Sequence, residues 1–415
     1  MNAVVNTYGD DMGMEVEYTI DYRRARASSP QRSRRPEHRS RSAAPACVNG
    51  IHRRRAKRWT WGTGRGARMM SVRAVASGLA VALASLAGAA LAAPLPVTID
   101  YATVGNPGNA ATTGTAGPSR GSVSDVFKIA KYETTNADYV KFLNTIDASG
   151  SNQFQTYDSL MTSNTINGGI IYTATAAAGS KYSTRAGFDL KPVTYVSWFS
   201  SARFANWLNN GQTSGSAATE TGAYTLNGAT SGPIVARNAG AQVYLPNLNE
   251  FTKAAYYDPT LNSGSGGYYS YGTKSNTAPT ASGSANAGAN VANYGGANTP
   301  ALTTGVLDGT AFPNAQSFYG LFNAYGNVVE YTDTDNPGNA SQVAAGGSSW
   351  RLNTVNAASW SSQNVRYVGL TAADSFGFRV AAVPEPGAII LAAVGLGGAF
   401  GGEYVRRRRR KARLC

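Results

Sequence analysis

The side chains that most often carry out catalysis are missing from the central part of this sequence. Both histidines, His38 and His52, and one cysteine, Cys47, lie close to the N-terminus, and the second cysteine, Cys415, is the last residue. Residues 93–383 therefore contain neither residue type. This excludes Ser-His-Asp and Cys-His nucleophilic catalysis, zinc sites with the usual ligands and histidine-ligated copper or iron. It also excludes a disulfide within that segment.

Oxygen donors remain for chemistry, and one block concentrates them. Residues 317–331 read SFYGLFNAYGNVVEY, which combines aromatic residues, glycine and asparagine turn-formers and a single carboxylate, Glu330. One interpretation is a kinked core segment in which Asn323 bonds to the backbone and Glu330 is solvated or paired with an arginine. The other is a turn that closes around calcium, which takes six to eight hard oxygens from carbonyls and one or two carboxylates.

The positive charge of the chain belongs to its two ends. The formal net charge is +14, whereas residues 93–383 carry 14 basic and 15 acidic side chains, a net charge of −1. Residues 1–68 would be a disordered nucleic-acid-binding arm if they are translated. The central segment has no basic surplus, so we expect no nucleic acid as its partner.

Residues 69–92 have the pattern of a secretory signal peptide. Arg73 precedes an apolar run that ends with the small-residue tripeptide Ala-Leu-Ala at 90–92. Because a signal peptide acts at the start of a chain, we expect translation to begin at residue 69 or 70. Residues 1–68 are then a misassigned start.

Residues 384–415 combine the tripeptide Pro384-Glu385-Pro386, an uncharged and mostly apolar segment at 387–402, and a run of five arginines. This order resembles the PEP-CTERM sorting signal of bacteria that carry exosortase. The resemblance implies export, transient anchoring in the inner membrane, processing by an exosortase-type protease, and a final location at the cell surface or in the extracellular matrix. A plain C-terminal membrane anchor is the alternative, although the segment is shorter than the about 20 residues that usually span a bilayer.

The segment 93–383 is predicted to form one α+β domain with few regular elements. Three short amphipathic helices are expected: TNADYVKFLN with Thr135 as N-cap, SWFSSARFANWLNN beginning at Ser197, and LPNLNEFTKAAYY with Asn247 and Glu250 as a capping box. The segments SDVFKIAKYE and GFRVAAV are typical of strands. Loops rich in glycine, serine and asparagine separate these elements.

Seven blocks follow one another in a recognisable order: YETTNADYVKFLN, PVTYVSWFSSARFANWLNN, VYLPNLNEFTKAAYY, YYSYG, FYGLFNAYGNVVEY, AAGGSSW and FGFRVA. In this order they resemble the formylglycine-generating enzyme (sulfatase-modifying factor) family, over roughly residues 128–380. The resemblance implies a C-type-lectin-like α+β fold with a low content of regular secondary structure. That expectation agrees with the short elements predicted from the residues.

The catalytic residues of the family are not matched. Its oxidases convert a sulfatase cysteine to formylglycine with a copper ion held by two cysteines just after the Gly-Gly-Ser block. An ungapped count places Arg351 and Asn356 at those positions, and neither supplies a thiolate for copper. We therefore expect no copper, iron or zinc and no catalytic residue. The enzymatic alternatives are a residual oxidase and a hydrolase that uses two carboxylates, for which no pair stands out.

The resemblance also implies structural calcium. The first site would use the side chains of Asn323 and Glu330 and the carbonyls of Gly326 and Val328. A glycine at position 326 lets the backbone turn so that carbonyls two residues apart face inward. A second, partial site would use the Asn293 side chain and the Tyr294 carbonyl, without an identifiable aspartate.

Asp333 and Asp335 have the spacing that opens an EF-hand loop. The twelfth position of such a loop is Ala344, where calcium needs a bidentate glutamate. We therefore interpret the two aspartates as part of a solvated turn.

Related lectin-like domains bind ligands with the region after the Gly-Gly-Ser block, here residues 348–376. The candidate ligand-binding residues are Trp350, Arg351, Asn353, Asn356, Trp360, Asn364, Arg366 and Tyr367. Amide and aromatic groups suit a glycan or a protein surface, although the two tryptophans would also suit the core. The expected function is an exported, envelope- or matrix-associated, non-catalytic domain whose partner is an extracellular polysaccharide or a surface protein.

Overall fold

The structure, a computed structural model, describes residues 96–112, 119–295, 305–352 and 366–385. Within these ranges the helices are α1 (Asn136–Ile146), α2 (Leu160–Ser163), α3 (Trp198–Asn209), α4 (Leu248–Tyr256) and α5 (Leu261–Gly264), with a 3-10 turn at Ser216–Thr219. The strands are β1 (Tyr101–Val104), β2 (Phe127–Ala130), β3 (Ile170–Tyr172), β4 (Tyr182–Thr184), β5 (Val243–Tyr244), β6 (Tyr257–Asp258), β7 (Gly267–Tyr268), β8 (Thr280–Ala281), β9 (Val291–Ala292), β10 (Val329–Asp335), β11 (Gln342–Gly346), β12 (Arg366–Gly369), β13 (Phe376–Gly377) and β14 (Ala381–Ala382). These short helices and strands confirm the predicted α+β fold.

The three predicted helices begin at their predicted caps. The Thr135 hydroxyl accepts a hydrogen bond from a first-turn backbone N–H of α1, and the Ser197 hydroxyl does the same for α3. Asn247 and Glu250 form the reciprocal capping box of α4. Each cap satisfies backbone donors that have no partner inside the helix.

Two four-stranded sheets organise the domain. The first has the order β1-β2-β14-β5, in which Ile129 of β2 lies opposite both Ala102 of β1 and Ala381 of β14. The second has the order β12-β11-β10-β13, with β10 antiparallel to β11 and parallel to β13. The block at 317–331 leads directly into β10, so the second sheet fixes the position of its carboxylate.

Helices α1 and α3 pack against the C-terminal chain through aromatic side chains. The ring centroids of Phe142 and Trp207 are 5.4 Å apart, and those of Phe204 and Phe378 are also 5.4 Å apart. All four side chains are buried. Burial of such rings contributes most of the stabilisation of a core without disulfides.

The interpretation of Asp333 as part of a solvated turn is wrong. Asp333 belongs to β10, and its side chain is only 4% exposed. Arg237 Nε donates to its carboxylate at 2.7 Å, and the Tyr224 hydroxyl donates at 3.0 Å. A buried carboxylate needs such partners, and a distant arginine cannot be read from local spacing.

In the described part of the chain, no helix has the length and apolar character needed to cross a bilayer. The predicted signal peptide at 69–92, the stretch 1–68 and the sorting signal from Pro386 onward lie outside the described residues. Of that signal, Glu385 is described, and it pairs with Lys128 at 3.2 Å.

Candidate functional site

The block at 317–331 folds into a turn that closes against residue 293. Asn323, Gly326 and Asn327 all have positive φ, at 50°, 93° and 66°. Asparagine and glycine are the residues that adopt this left-handed conformation most readily. A Cβ at Gly326 would lie 2.7 Å from the Asn293 carbonyl oxygen, so the approach of these two segments requires glycine.

The Glu330 carboxylate is paired with an arginine inside the protein. Arg379 donates from Nη2 to one carboxylate oxygen at 2.7 Å and from Nε to the other at 2.5 Å, and both side chains are fully buried. The guanidinium also donates to the carbonyls of Ala130, Lys131 and Phe322. Arg379 therefore ties strand β10 to the end of β2 and to the turn before β10.

This pairing affects the first predicted calcium site. The structure places Asn323, Gly326, Val328 and Glu330 in one turn and strand, as expected. However, both Glu330 oxygens accept from Arg379, whose charge already neutralises the carboxylate. As arranged here, these four residues do not by themselves offer calcium a free carboxylate, and calcium at this set stays a prediction.

Glu133 is a second buried carboxylate, which the sequence analysis missed. One of its oxygens accepts from Asn323 Nδ2 at 3.0 Å and from Asn327 Nδ2 at 3.3 Å. The other oxygen, Oε1, has no hydrogen-bond partner among the described residues. Burial raises the pKa of Glu133 to about 8, against the opposing effect of Arg379. The sequence offered one signal for Glu133: it lies just before the α1 cap, within one of the recognisable blocks.

Asn293, of the second predicted calcium site, is also buried and only partly satisfied. Its Nδ2 donates to the Gly305 carbonyl at 2.9 Å and to Asn327 Oδ1 at 3.2 Å. Its Oδ1 has no partner among the described residues. The Tyr294 hydroxyl donates to the Pro279 carbonyl.

Two side chains that bond to Asn327 therefore each carry a buried oxygen without a donor: Oε1 of Glu133 and Oδ1 of Asn293. Asn327 is hydrogen-bonded to both of these side chains. Buried polar atoms without partners are rare in folded proteins. A carboxylate oxygen and an amide oxygen are hard donors that suit calcium.

The structure describes part of the predicted ligand face. Trp350 Nε1 donates to the Asp374 carbonyl at 3.3 Å, and Arg351 pairs with the Asp374 carboxylate at 3.2 Å. The Arg351 side chain is 60% exposed. Tyr367 lies half-buried on β12, which begins at Arg366. The predicted residues Asn353, Asn356, Trp360 and Asn364 lie outside the described residues.

A groove of about 750 Å³ adjoins this face. Its lining residues at 369–372 fall within the predicted segment 348–376, and the other lining residues were not predicted. Its walls come from the segment before α2, the start of α3, the loop at 230–232, the β10–β11 hairpin and the chain after β12. The described lining residues are Asn152, Gln155, Tyr157, Asp158, Ser159, Tyr195, Ser197, Phe199, Thr230, Ser231, Gly232, Ser341, Gly369, Leu370, Thr371 and Ala372. The volume is in the range of small-molecule binding sites.

Three lining residues have a left-handed backbone conformation. Asn152, Gln155 and Tyr195 adopt positive φ values of 52°, 52° and 57°. This conformation is unfavourable for a bulky residue such as tyrosine, and such strain clusters at functional sites. Asparagine adopts this conformation readily, so the strain is at Gln155 and Tyr195, and it is consistent with a functional groove.

Hydrogen bonds hold these residues in place. The Asn152 side chain accepts from the Tyr157 backbone N–H at 3.0 Å and donates to the Tyr157 carbonyl at 2.7 Å. Asn164 Nδ2 donates to the Tyr195 hydroxyl at 2.6 Å.

The lining residues are scattered over more than 200 positions and are of common types, so no local motif marked the groove.

Residues 91–383 match the model of the Sulfatase-modifying factor enzyme 1-like domain. The chain belongs to this family. The match covers the whole predicted domain and agrees with the resemblance seen in the seven sequence blocks. None of the curated proteins compared with the chain matches it.

Solved structures of low sequence identity are also similar to this chain. CarF has 18% identity and a TM-score of 0.43, and the alignment covers 69% of this chain and 99% of CarF. Treponema denticola variable protein 1 has 15% identity and a TM-score of 0.41, with 69% and 96% covered. PvdO from Pseudomonas aeruginosa has 16% identity and a TM-score of 0.38, with 69% and 93% covered.

Proposed function

We propose that this protein is a non-catalytic, ligand-binding member of the sulfatase-modifying factor family. The observation that carries the proposal is the groove, whose lining is strained and fixed by hydrogen bonds before any ligand arrives. A lining fixed in this way costs little further ordering on binding. The ligand is polar, a glycan or a protein surface, and the adjoining Trp350 and Arg351 extend the same face.

The residue types in the domain support a binding role over catalysis. Residues 93–383 contain no cysteine or histidine, and Arg351, which stands where the family's oxidases are expected to have a copper ligand, is paired with Asp374. Among the described lining residues the only carboxylate is Asp158. A hydrolase of the two-carboxylate type needs a pair.

We also propose that calcium stabilises the domain. The support is the pair of buried, unpartnered oxygens on Glu133 and Asn293, together with the neighbouring turn at Asn323 and Gly326. These residues would hold the ion, and Glu330 would stay paired with Arg379. Native mass spectrometry of the mature protein, with thermal melting before and after EDTA, tests this role. An unchanged melting temperature and no bound calcium would remove it.

The proposed location rests on the two ends of the sequence. The signal-peptide pattern at 69–92 and the PEP-CTERM-like pattern at 384–415 support export, transient anchoring in the inner membrane and recognition by an exosortase-type protease. Mass spectrometry of the protein recovered from its native cells tests this: a first residue at 93 supports export. A recovered protein that retains residues 1–92 would contradict it.

The non-catalytic assignment is tested with copper(I), oxygen and a cysteine-containing sulfatase-motif peptide. We expect no formylglycine product by mass spectrometry, because the domain has no thiolate or imidazole to hold the metal. The same protein should bind a polar ligand in a titration. Turnover of the peptide would contradict the proposal.

A further inference from the structure

We infer that the groove binds an uncharged, hydroxyl-rich ligand, a short segment of a neutral polysaccharide. This inference rests on the proposed binding function and specifies its ligand class. Four properties of the lining carry it: its charge, its free hydrogen-bonding groups, its backbone carbonyls that are already hydrogen-bonded, and the ring of Tyr157.

The charge of the lining disfavours anionic ligands. Among the described lining residues only Asp158 is charged, and it is negative. One of its carboxylate oxygens already accepts from the Leu160 backbone N–H at 2.8 Å. Sites for phosphate, sulfate or carboxylate groups use arginine, lysine or clustered N–H donors. The described lining residues include no basic side chain, and the adjoining Arg351 is already paired with the Asp374 carboxylate. A uronic-acid or phosphorylated polymer therefore does not match the lining.

The free polar groups of the lining match hydroxyl groups. The side chains without a hydrogen bond to another described residue are those of Gln155, Ser159, Thr230, Ser231, Ser341 and Thr371. Each hydroxyl both donates and accepts, and the amide offers two donors and an acceptor. A sugar presents the same mixture of donors and acceptors, so each group finds a partner in either direction.

The backbone of the wall after β12 has little to offer an extended peptide. The carbonyl of Leu370 accepts from Trp198 N at 3.1 Å, and that of Ala373 accepts from Tyr195 N at 2.9 Å. The Thr371 carbonyl accepts from a tyrosine hydroxyl of β10 at 2.7 Å. Peptides that add to a strand edge need free carbonyls and N–H groups there. These carbonyls are used inside the protein, which favours a ligand recognised by side chains.

Tyr157 supplies a rigid surface for a sugar ring. It is half-buried, and its ring lies 5.3 Å from that of Tyr182 and 5.7 Å from that of Tyr172, measured between centroids. Its hydroxyl lies 2.5 Å from that of Thr162. An aromatic ring held in this way offers apolar contact at little entropic cost.

The test is calorimetric titration of the full mature chain with neutral hexasaccharides of glucan, mannan, galactan and xylan type. Hexagalacturonate serves as the acidic probe and an unrelated decapeptide as the peptide probe. We expect at least one neutral probe to bind, with an affinity that changes little between low and high salt. Hexagalacturonate and the peptide should not bind.

Two substitutions locate the binding. Gln155→Gly removes the amide and suits the positive φ, so the fold is retained. Thr371→Val removes a hydroxyl at nearly constant shape. Each should weaken binding of the neutral probe about tenfold, the loss of roughly one hydrogen bond. Gln153→Gly, an exposed glutamine outside the lining, is the matched control and should leave the affinity unchanged.

The outcomes separate the inference from the proposed function. Binding of hexagalacturonate or the peptide, weakened by Gln155→Gly, overturns the neutral ligand class and retains the groove as a binding site. Binding of a neutral probe that neither Gln155→Gly nor Thr371→Val weakens overturns the assignment to the groove. Failure of every probe to bind overturns both the ligand class and the binding function.

Discussion

Two arginine–carboxylate pairs near the C-terminal end of the domain differ in exposure. Arg379 and Glu330 are fully buried, and the guanidinium also reaches three backbone carbonyls. Arg351 is 60% exposed and pairs with Asp374 beside the predicted ligand face. A buried pair cannot lose one partner without leaving an uncompensated charge, whereas an exposed charge is solvated. The first pair is thus part of the scaffold, and the second lies at the solvated surface.

The largest loss of stability is expected from Arg379→Met. Loss of the guanidinium leaves Glu330 as a buried carboxylate without a cation, which should lower the free energy of unfolding by about 3–5 kcal/mol. Urea unfolding followed by circular dichroism measures this. The double variant Arg379→Met/Glu330→Gln should recover part of the loss. A single-variant cost below about 1 kcal/mol would show that the pair does not stabilise the scaffold.

Glu133 is expected to make the free energy of unfolding depend on pH. Since burial raises its pKa to about 8, the folded state keeps a proton that the unfolded chain releases at lower pH. The free energy of unfolding should therefore fall as the pH rises toward 8, by at most about 1.4 kcal/mol per pH unit. Glu133→Gln cannot titrate, so its stability should vary less over this range. Urea unfolding in EDTA at several pH values compares them, and parallel curves would contradict the assignment.

A smaller loss of stability is expected from changes at Asn152, whose hydrogen bonds hold the groove in shape. Asn152→Ala removes two hydrogen bonds to the Tyr157 backbone and should destabilise the domain by about 1–2 kcal/mol. Asn152→Gly removes the same bonds but tolerates the positive φ, so it should cost less. Comparing the melting temperatures of the two variants separates the contribution of the hydrogen bonds from that of the backbone conformation. Equal stability of both variants and the unmodified protein would show that the segment is not held by Asn152.

The smallest effect is expected at the exposed pair. Arg351→Ala should change the free energy of unfolding by less than about 0.5 kcal/mol, because an exposed ion pair contributes little. The matched comparison is with Arg379→Met in the same urea titration. A cost near that of the buried pair would remove the distinction between the two arginines.

The local parts of the fold were predictable from the sequence. Thr135, Ser197 and Asn247 cap their helices through contacts within a few residues, and the order of the blocks indicated the family. Local spacing could not identify partners far along the chain. Arg379 lies 49 residues from Glu330, and Arg237 lies 96 residues from Asp333.

The candidate site was predictable only in part, for the same reason. The turn around Asn323 and Gly326 was expected, and its compact left-handed conformation follows from residue type. The role of Glu133 and the groove depend on tertiary packing, which brings together residues such as Gln155 and Thr371. Common polar residues give no signal until the fold places them around one groove.

The most direct test of a ligand-binding groove is hydrogen–deuterium exchange of the full mature chain with and without a bound neutral hexasaccharide. We expect slower exchange in residues 152–159 and 369–372, which both contribute to the lining, and unchanged exchange around Arg379. Protection confined to other surfaces, or no protection at saturating ligand, would contradict this expectation.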